Sequence, residues 1–123
     1  MKKVLLVEDD DLLQGMYQRV LSMHGFEVEV ASDGEEGIKK VFENTPDVIL
    51  LDIMMPKING LNVLKEIKAS PQTKHIPVMV LTNLAGDQFT QRAMTLGAEN
   101  YVIKSNHDPM EIIQMVKDLV KEA

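Results

Sequence analysis

Short apolar runs recur along the chain and predict the strands of a buried sheet. Residues 4–7, 48–51 and 77–81 are apolar throughout, which is typical of short strands that are covered on both faces. Residues 100–103 are interpreted as a final strand. Residues 26–30 alternate apolar with acidic side chains instead, which indicates a half-exposed strand at an edge of the sheet.

Between these runs, apolar residues recur at helical spacing. The acidic residues at positions 8–11 precede the first helix, and Gly25 follows it. Asp33 and Asp108 each stand three residues before a glutamate, which is the spacing of a capping box at the start of a helix. The fourth predicted helix spans about residues 88–96. The other four carry these apolar residues: Leu13, Met16, Tyr17, Val20 and Leu21; Ile38, Val41 and Phe42; Val63, Leu64 and Ile67; and Ile112, Ile113, Val116, Leu119 and Val120.

Strand and helix thus alternate five times without repeats or linkers. This pattern predicts an α/β fold, a three-layer sandwich in which a five-stranded parallel sheet lies between two layers of helices. The 123 residues are enough for one well-buried core. We therefore expect residues 1–123 to form a single domain.

Composition argues against several classes of function. The formal net charge of −6 argues against direct binding to nucleic acid and gives no support for binding to an anionic membrane. The chain has no cysteine, so disulfides, thiolate metal sites and cysteine nucleophiles are excluded. No apolar run reaches the roughly 18 residues that span a bilayer, and we expect a cytoplasmic protein without a targeting segment.

Polar residues stand at the ends of the predicted strands: Glu8 and Asp9, Asp52, Thr82, and Lys104. Because the carboxyl ends of parallel strands share one edge, ligands bind there. If the first and third strands are neighbours, the three carboxylates converge, and at about 5 Å each pair repels by roughly 3 kcal/mol. Such a cluster takes up protons or binds a hard cation, in particular Mg²⁺.

The chemistry around Asp52 is that of a phosphoryl-transfer site. Lys104 adds a positive charge and Thr82 a hydroxyl donor, so Asp52 is the candidate nucleophile. Taken singly, each residue has an ordinary interpretation. Acids after a strand are more often helix caps, and we expect either Asp10 or Asp11 to be one. The occurrence of all five on one edge favours the functional interpretation.

Four motifs in this order resemble the receiver domain of two-component response regulators. They are Val-Glu-Asp-Asp at 7–10, Asp-Ile-Met-Met-Pro at 52–56 followed by Gly60, Leu-Thr at 81–82, and Gly-Ala-Glu-Asn-Tyr-Val-Ile-Lys at 97–104. The resemblance covers essentially the whole chain. It implies a flavodoxin-like sheet with strand order 2-1-3-4-5.

The resemblance also implies a metal site and a phosphoacceptor. Asp52 would receive a phosphoryl group from a sensor histidine kinase or a phosphotransfer protein. Asp9, Asp52 and the Met54 carbonyl would bind Mg²⁺ directly, and Glu8 would act mainly through bound water. No other cofactor is implied.

The same resemblance implies a switch. Thr82 would hydrogen-bond the phosphoryl group, and Lys104 would pair with one of its oxygens. Inward movement of Thr82 would let Tyr101 rotate inward and remodel the face of the fourth helix, fifth strand and fifth helix. That face would bind a downstream protein or a fused output domain beyond this chain, or form a phosphorylation-dependent homodimer, without direct contact to nucleic acid or membrane.

The sequence departs from the family pattern at three places. Ser105 follows Lys104 where the family usually has proline, often after a cis bond. Either this bond is cis despite the cost, or it is trans and Lys104 is presented differently; we favour cis because Lys104 must still point at Asp52. Asn83 follows Thr82 where the family has a small residue, so it either narrows access to Asp52 or adds a donor to the phosphoryl group.

The third departure concerns hydrolysis. Met54 and Leu84 flank the path of attack with apolar side chains that do not orient a water molecule. We therefore predict a comparatively long-lived phospho-aspartate.

Three other functions fit the pattern less well. A flavodoxin-like electron carrier needs a phosphate-binding loop after the first strand, where this chain has four acids. A protein-binding module without phosphorylation would normally lack an acid, the threonine or the lysine, and all are present. A hydrolytic phosphatase needs a second acid beside Asp52, but Ile53 and Met54 follow.

Overall fold

The computed structural model describes residues 1–55 and 58–121, and its elements alternate as the sequence predicts. Pro56 and Lys57, part of a predicted loop, lie outside the described residues. The strands are β1 (Lys3–Val7), β2 (Glu27–Ala31), β3 (Val48–Leu51), β4 (Val78–Thr82) and β5 (Asn100–Ile103). The helices are α1 (Asp11–Met23), α2 (Gly34–Asn44), α3 (Gly60–Ala69), α4 (Asp87–Leu96) and α5 (Pro109–Lys121), and a 3-10 turn (Lys104–Asn106) follows β5.

All strand pairs of the sheet are parallel, and the order is β2-β1-β3-β4-β5. The prediction of a parallel sheet in this order is confirmed, as is the placement of the alternating strand β2 at an edge. The register pairs Val7 with Leu51 and Thr82 with Ile103. β1 and β3 therefore end at the same level, as do β4 and β5, and the residues that follow the two strands of each pair lie side by side.

Successive residues of the inner strands point to opposite faces, and each face has its own core. Leu5 and Ile49 pack with side chains of α2, α3 and α4, whereas Leu6 and Leu50 pack with side chains of α1 and α5. These runs are apolar throughout because both faces of the sheet are covered. The three-layer sandwich is confirmed.

Short polar side chains begin the helices at the positions that the sequence indicates. Asp10, rather than Asp11, caps α1 and accepts from the N–H groups of Leu12 and Leu13. Asp108 and Glu111 form a reciprocal capping box at the start of α5. These caps satisfy free N–H groups of the first turn and so fix where each helix begins.

The predicted cis bond between Lys104 and Ser105 is wrong, because this bond is trans. Without proline the cis form costs about 3 kcal/mol. The trans bond enters the 3-10 turn, and the long Lys104 side chain still brings Nζ to 2.9 Å from Asp52.

The apolar residues that the sequence indicates on α2 differ in burial, since Val41 is buried and Phe42 is exposed. In the part of the chain that the structure describes, no helix has the length and apolar content to cross a membrane.

Candidate functional site

The carboxylates lie together because β1 and β3 are neighbours. Past the paired residues Val7 and Leu51, the Asp52 N–H donates to the Val7 carbonyl at 3.1 Å. On the other side of β1, the Glu8 N–H donates to the Ala31 carbonyl at 2.9 Å. These bonds continue the ladder by one residue and fix the backbone of both acids at the carboxyl edge of the sheet.

Glu8, Asp9 and Asp52 each place a carboxylate oxygen within 4.8 Å of the other two. Glu8 and Asp52 are buried, with 2% and 6% of their surface exposed, while Asp9 is exposed. The sequence predicted this convergence from strand order alone. Two buried anions and one exposed anion form a site that is open to solvent on the side of Asp9.

Lys104 bridges the two buried carboxylates. Its Nζ donates to Glu8 Oε1 at 2.5 Å and to Asp52 Oδ2 at 2.9 Å, and only 7% of its side chain is exposed. The contact with Asp52 was expected, whereas the contact with Glu8 was not, because the sequence indicated only a metal-related role for Glu8. The ammonium group thus neutralises part of the buried negative charge.

The pKa values of these groups reflect burial opposed by pairing. Burial raises the pKa of Glu8 above its ordinary value, although the hydrogen bond from Lys104 works against this shift. Burial lowers the pKa of Lys104, but the hydrogen bonds to Glu8 and Asp52 outweigh it, so the pKa ends above its ordinary value. Lys104 is therefore a fixed positive charge at neutral pH.

The second oxygen of Asp52 is held by the loop that follows β3. Asp52 Oδ1 accepts from the Met54 N–H at 3.0 Å, and the Met54 side chain is exposed beside it. Gly60 lies against this loop, since a Cβ there would be 2.4 Å from the Asp52 carbonyl oxygen. The Asp52 side chain is thus positioned by Lys104 on one oxygen and by the loop backbone on the other.

The predicted switch residues lie on β4 and β5. Thr82 is the last residue of β4 and is fully buried, and its Oγ1 accepts from the Leu84 N–H at 3.2 Å. Tyr101 on β5 is half-buried, and its hydroxyl donates to the Leu84 carbonyl at 2.5 Å. Both residues therefore contact the same point of the loop that leads to α4.

The sequence pattern did not indicate two polar contacts at this edge. Gln14 of α1 donates from Nε2 to the Glu8 carbonyl at 2.8 Å. Asn83 accepts at Oδ1 from the Ser105 backbone N–H at 3.1 Å. The helical position of Gln14 faces back to the end of β1, but nothing in the sequence pattern indicates a bond between Asn83 and Ser105.

The donor set of the acidic cluster fits a hard divalent cation. Glu8, Asp9 and Asp52 offer only oxygen ligands within a few ångströms of one another, and such ligands are preferred by Mg²⁺. Lys104 leaves the cluster with a net negative charge, since it is one cation among three acids. The negative charge that remains favours a cation at this cluster.

Comparison with known proteins gives a consistent result. A family model described as the response regulator receiver domain matches residues 4–117. The transcriptional regulatory protein CpxR of Klebsiella pneumoniae is 36% identical over 123 residues, which are 100% of this chain and 51% of that protein. The alkaline phosphatase synthesis transcriptional regulatory protein PhoP of Bacillus subtilis is 34% identical over 122 residues, 99% of this chain and 50% of that protein. The chain thus spans about half the length of these curated relatives.

Solved structures of receiver domains resemble this chain in fold over nearly its whole length. The Francisella response regulator 1452 receiver domain superposes with a TM-score of 0.90 at 29% identity, over 99% of this chain and 98% of that chain. A CheY-like receiver domain protein from Methanospirillum hungatei gives a TM-score of 0.93 at 24% identity, over 99% and 95% of the two chains. At its lower identity, the second structure supports the fold alone.

Proposed function

Because this chain belongs to the response regulator receiver domain family, we propose that it accepts a phosphoryl group on Asp52 and thereby changes its affinity for a partner protein. The observation that carries this proposal is the surroundings of the Asp52 carboxylate. It accepts a hydrogen bond from the Lys104 ammonium group and lies within 4.8 Å of carboxylate oxygens of Glu8 and Asp9. A carboxylate in such a setting can act as a nucleophile toward phosphorus.

The proposed reaction transfers a phosphoryl group from a phosphohistidine of a sensor kinase or phosphotransfer protein. An Asp52 carboxylate oxygen attacks phosphorus, the P–O bond forms, and the P–N bond breaks. The imidazole leaves with the electron pair of that bond and regains a proton. Asp52 is suited to attack because its oxygens are already oriented, one by Lys104 and one by the Met54 N–H.

Lys104 and Thr82 are proposed to bind the transferred group. Lys104 carries a positive charge at neutral pH, because its hydrogen bonds to Glu8 and Asp52 keep its pKa above the ordinary value despite burial. Its ammonium group can exchange a carboxylate partner for a phosphoryl oxygen without moving out of the buried site. Thr82 is proposed to give up its contact with the Leu84 N–H and donate its hydroxyl to the phosphoryl group.

We propose Mg²⁺ as the cofactor, bound directly by Asp9, Asp52 and the Met54 carbonyl, with Glu8 acting mainly through bound water. When bound, Mg²⁺ supplies positive charge that offsets the negative charge of the phosphoryl oxygens. Asp9 is the exposed member of the cluster, so it is suited to meet an ion that arrives from solvent. The buried Glu8 keeps its hydrogen bond to Lys104 and adds negative charge behind the site.

The output is proposed to be a change in the α4–β5–α5 face. Thr82 accepts from the Leu84 N–H, and Tyr101 donates to the Leu84 carbonyl. A shift of Thr82 toward a phosphoryl group would therefore disturb both contacts. That face would then bind a downstream protein, a fused output domain, or a second copy of the chain. In this proposal residues 1–123 form one receiver domain in the cytoplasm, without direct contact to nucleic acid or membrane.

Intact-mass measurement tests the proposal directly. The protein is incubated with acetyl phosphate and Mg²⁺, and the expected result is one phosphoryl adduct on the wild type and none on Asp52→Asn. Asp118→Asn makes the same chemical change at an exposed aspartate of α5 and should be labelled like the wild type. No adduct on the wild type, or equal adducts on wild type and Asp52→Asn, would refute the proposed function.

Asp9→Ala tests the metal part of the proposal. Labelling should be lost at Mg²⁺ concentrations that saturate the wild type, because an exposed ligand is removed. The apo protein should unfold at the same or slightly higher urea concentration, since removing one of three neighbouring acids relieves like-charge repulsion. Labelling of Asp9→Ala at the wild-type Mg²⁺ dependence would contradict the ligand assignment.

A further inference from the structure

We infer that Asn83 is a positioning residue for phosphoryl transfer, because its side chain joins the two loops that carry Thr82 and Lys104. Asn83 directly follows Thr82 at the end of β4, and Ser105 directly follows Lys104, the first residue of the 3-10 turn after β5. The Ser105 N–H donates to Asn83 Oδ1 at 3.1 Å. This inference rests on the proposed function and adds to it a restraint on the geometry of the site.

The bond extends the link between β4 and β5 past the end of the sheet. The register of these strands ends with Thr82 opposite Ile103. Asn83 and Lys104 are the next residues along each chain segment, and there the 3-10 turn begins. A side-chain bond at this point holds together the two loops immediately after they leave the ladder.

The bond depends on the residue at position 105. A proline there would have no N–H to donate, and its ring would fix the backbone φ instead. With serine, the backbone keeps its donor and a freer φ, and the Asn83 carbonyl restrains the turn from outside. Asn83 and Ser105, which both depart from the family pattern, are therefore partners of one hydrogen bond.

The position of Asn83 makes this role separable from folding. Its side chain is exposed, whereas Thr82 and Lys104 are buried. Loss of the Asn83 amide therefore removes a link between loops and leaves both cores intact. The effect should appear in how well Thr82 and Lys104 are aligned, since rate depends on the fraction of molecules in which reacting and stabilising groups are in place.

The first experiment compares Asn83→Ala with Asn106→Ala, an exposed asparagine in the neighbouring turn. Labelling of Asp52 is followed over a range of acetyl phosphate and Mg²⁺ concentrations. For Asn83→Ala, the maximal rate should fall about three- to tenfold, the ratio that corresponds to one hydrogen bond. The half-saturating concentrations of acetyl phosphate and Mg²⁺ should not change, and Asn106→Ala should match the wild type.

A double-mutant cycle tests whether Asn83 acts through Ser105. Ser105→Pro removes the donor, so the rates of Ser105→Pro and of the double variant Asn83→Ala/Ser105→Pro should be equal. An equal loss from Asn83→Ala in the serine and proline backgrounds would overturn the inference, because Asn83 would then act by another contact.

Amide exchange of Ser105 measures the bond itself and needs no proline variant. The Ser105 N–H should exchange more slowly in the wild type than in Asn83→Ala, and equal exchange rates would overturn the inference. If the wild type takes no phosphoryl group, the proposed function fails and this inference fails with it. If the wild type is labelled and Asn83→Ala matches its rate, only the inference about Asn83 fails.

Discussion

Replacement of Lys104 by methionine is a sharp test of the electrostatics at this site. Lys104 Nζ is the shared donor to Glu8 and Asp52, which are both buried. Methionine keeps most of the apolar stem of the side chain and removes the charge. The variant therefore leaves two buried carboxylates without their cation while it changes little else.

The size of the effect follows from two estimates. At a separation of 4.8 Å, two carboxylates repel by about 3.5 kcal/mol at an effective dielectric constant of 20. Uptake of a proton by one of them limits this loss, since protonating a carboxyl of ordinary pKa 4.5 at pH 7 costs about 3.4 kcal/mol. We therefore expect Lys104→Met to lower the free energy of unfolding by about 3 kcal/mol at pH 7.

The stability of Lys104→Met should depend on pH, because its buried carboxylates have lost their cation. In the variant, the pKa of a buried carboxyl is raised, so the folded state binds a proton that the unfolded state has lost above pH 4.5. Stability then falls as pH rises, by about 1.4 kcal/mol per pH unit. At pH 5 the cost of protonation is about 0.7 kcal/mol, so the destabilisation by Lys104→Met should be about 1 kcal/mol or less.

Urea unfolding, followed by circular dichroism at pH 5 and pH 7, measures these differences. Mg²⁺ should stabilise Lys104→Met more than the wild type, because the ion offsets the repulsion between the carboxylates that Lys104 no longer separates. Lys68→Met is the matched control, since Lys68 is also largely buried but bonds the Lys74 and Ile76 carbonyls and Glu99, away from the acidic cluster. Its destabilisation should not respond to Mg²⁺.

A destabilisation of Lys104→Met that is equal at both pH values and insensitive to Mg²⁺ would contradict an electrostatic origin of the effect. The loss would then come from packing of the lysine stem, and the acidic cluster would not be under electrostatic strain.

Three further predictions concern the fold and the lifetime of the modification. Gly60→Ala should lower the free energy of unfolding by about 2 kcal/mol or more, since the added Cβ would clash with backbone at 2.4 Å. Gly15→Ala, with open space around the added Cβ, should stabilise α1 by about 0.5–1 kcal/mol. Urea unfolding compares the two variants. Burial raises the pKa of Tyr17. The stabilising contribution of this residue is therefore present below pH 10 and lost as pH rises beyond it. Between pH 8 and pH 11, Tyr17→Phe should lose less stability than the wild type. The phosphoryl group on Asp52 should persist for minutes without a phosphatase. Met54→Gln, whose amide can orient water, should shorten that lifetime several-fold in the mass assay. Loss of the label from the wild type within seconds would contradict the protection by apolar Met54 and Leu84.

Strand order and site convergence could be predicted because they depend on periodic signals. The apolar runs that hold Leu50 and Leu6 mark strands covered on both faces, and acids after two such strands mark a common edge. Placement of Glu8 beside Asp52 needed only the assumption that β1 and β3 are neighbours, which the sheet order confirms.

The details that sequence could not predict are set by side-chain reach and local backbone geometry. Lys104 approaches Glu8 as well as Asp52, because a four-carbon stem in the interior reaches both carboxylates. The bond before Ser105 is trans, and cis was favoured because Lys104 must point at Asp52, which its long side chain also does from a trans backbone. Apolar character alone did not separate the buried Val41 from the exposed Phe42 on α2.

The edge strand β2 has a consequence for assembly. An open strand presents free backbone groups that can recruit a strand from another molecule. In this protein Lys40 donates to the Val30 carbonyl at 2.6 Å, and the acidic side chains of Glu27 and Glu29 alternate along the same strand. An approaching copy of β2 would meet like charge and an acceptor that is already occupied. Continuous sheets between molecules are therefore disfavoured at this edge, and the protein is guarded there against strand-mediated aggregation.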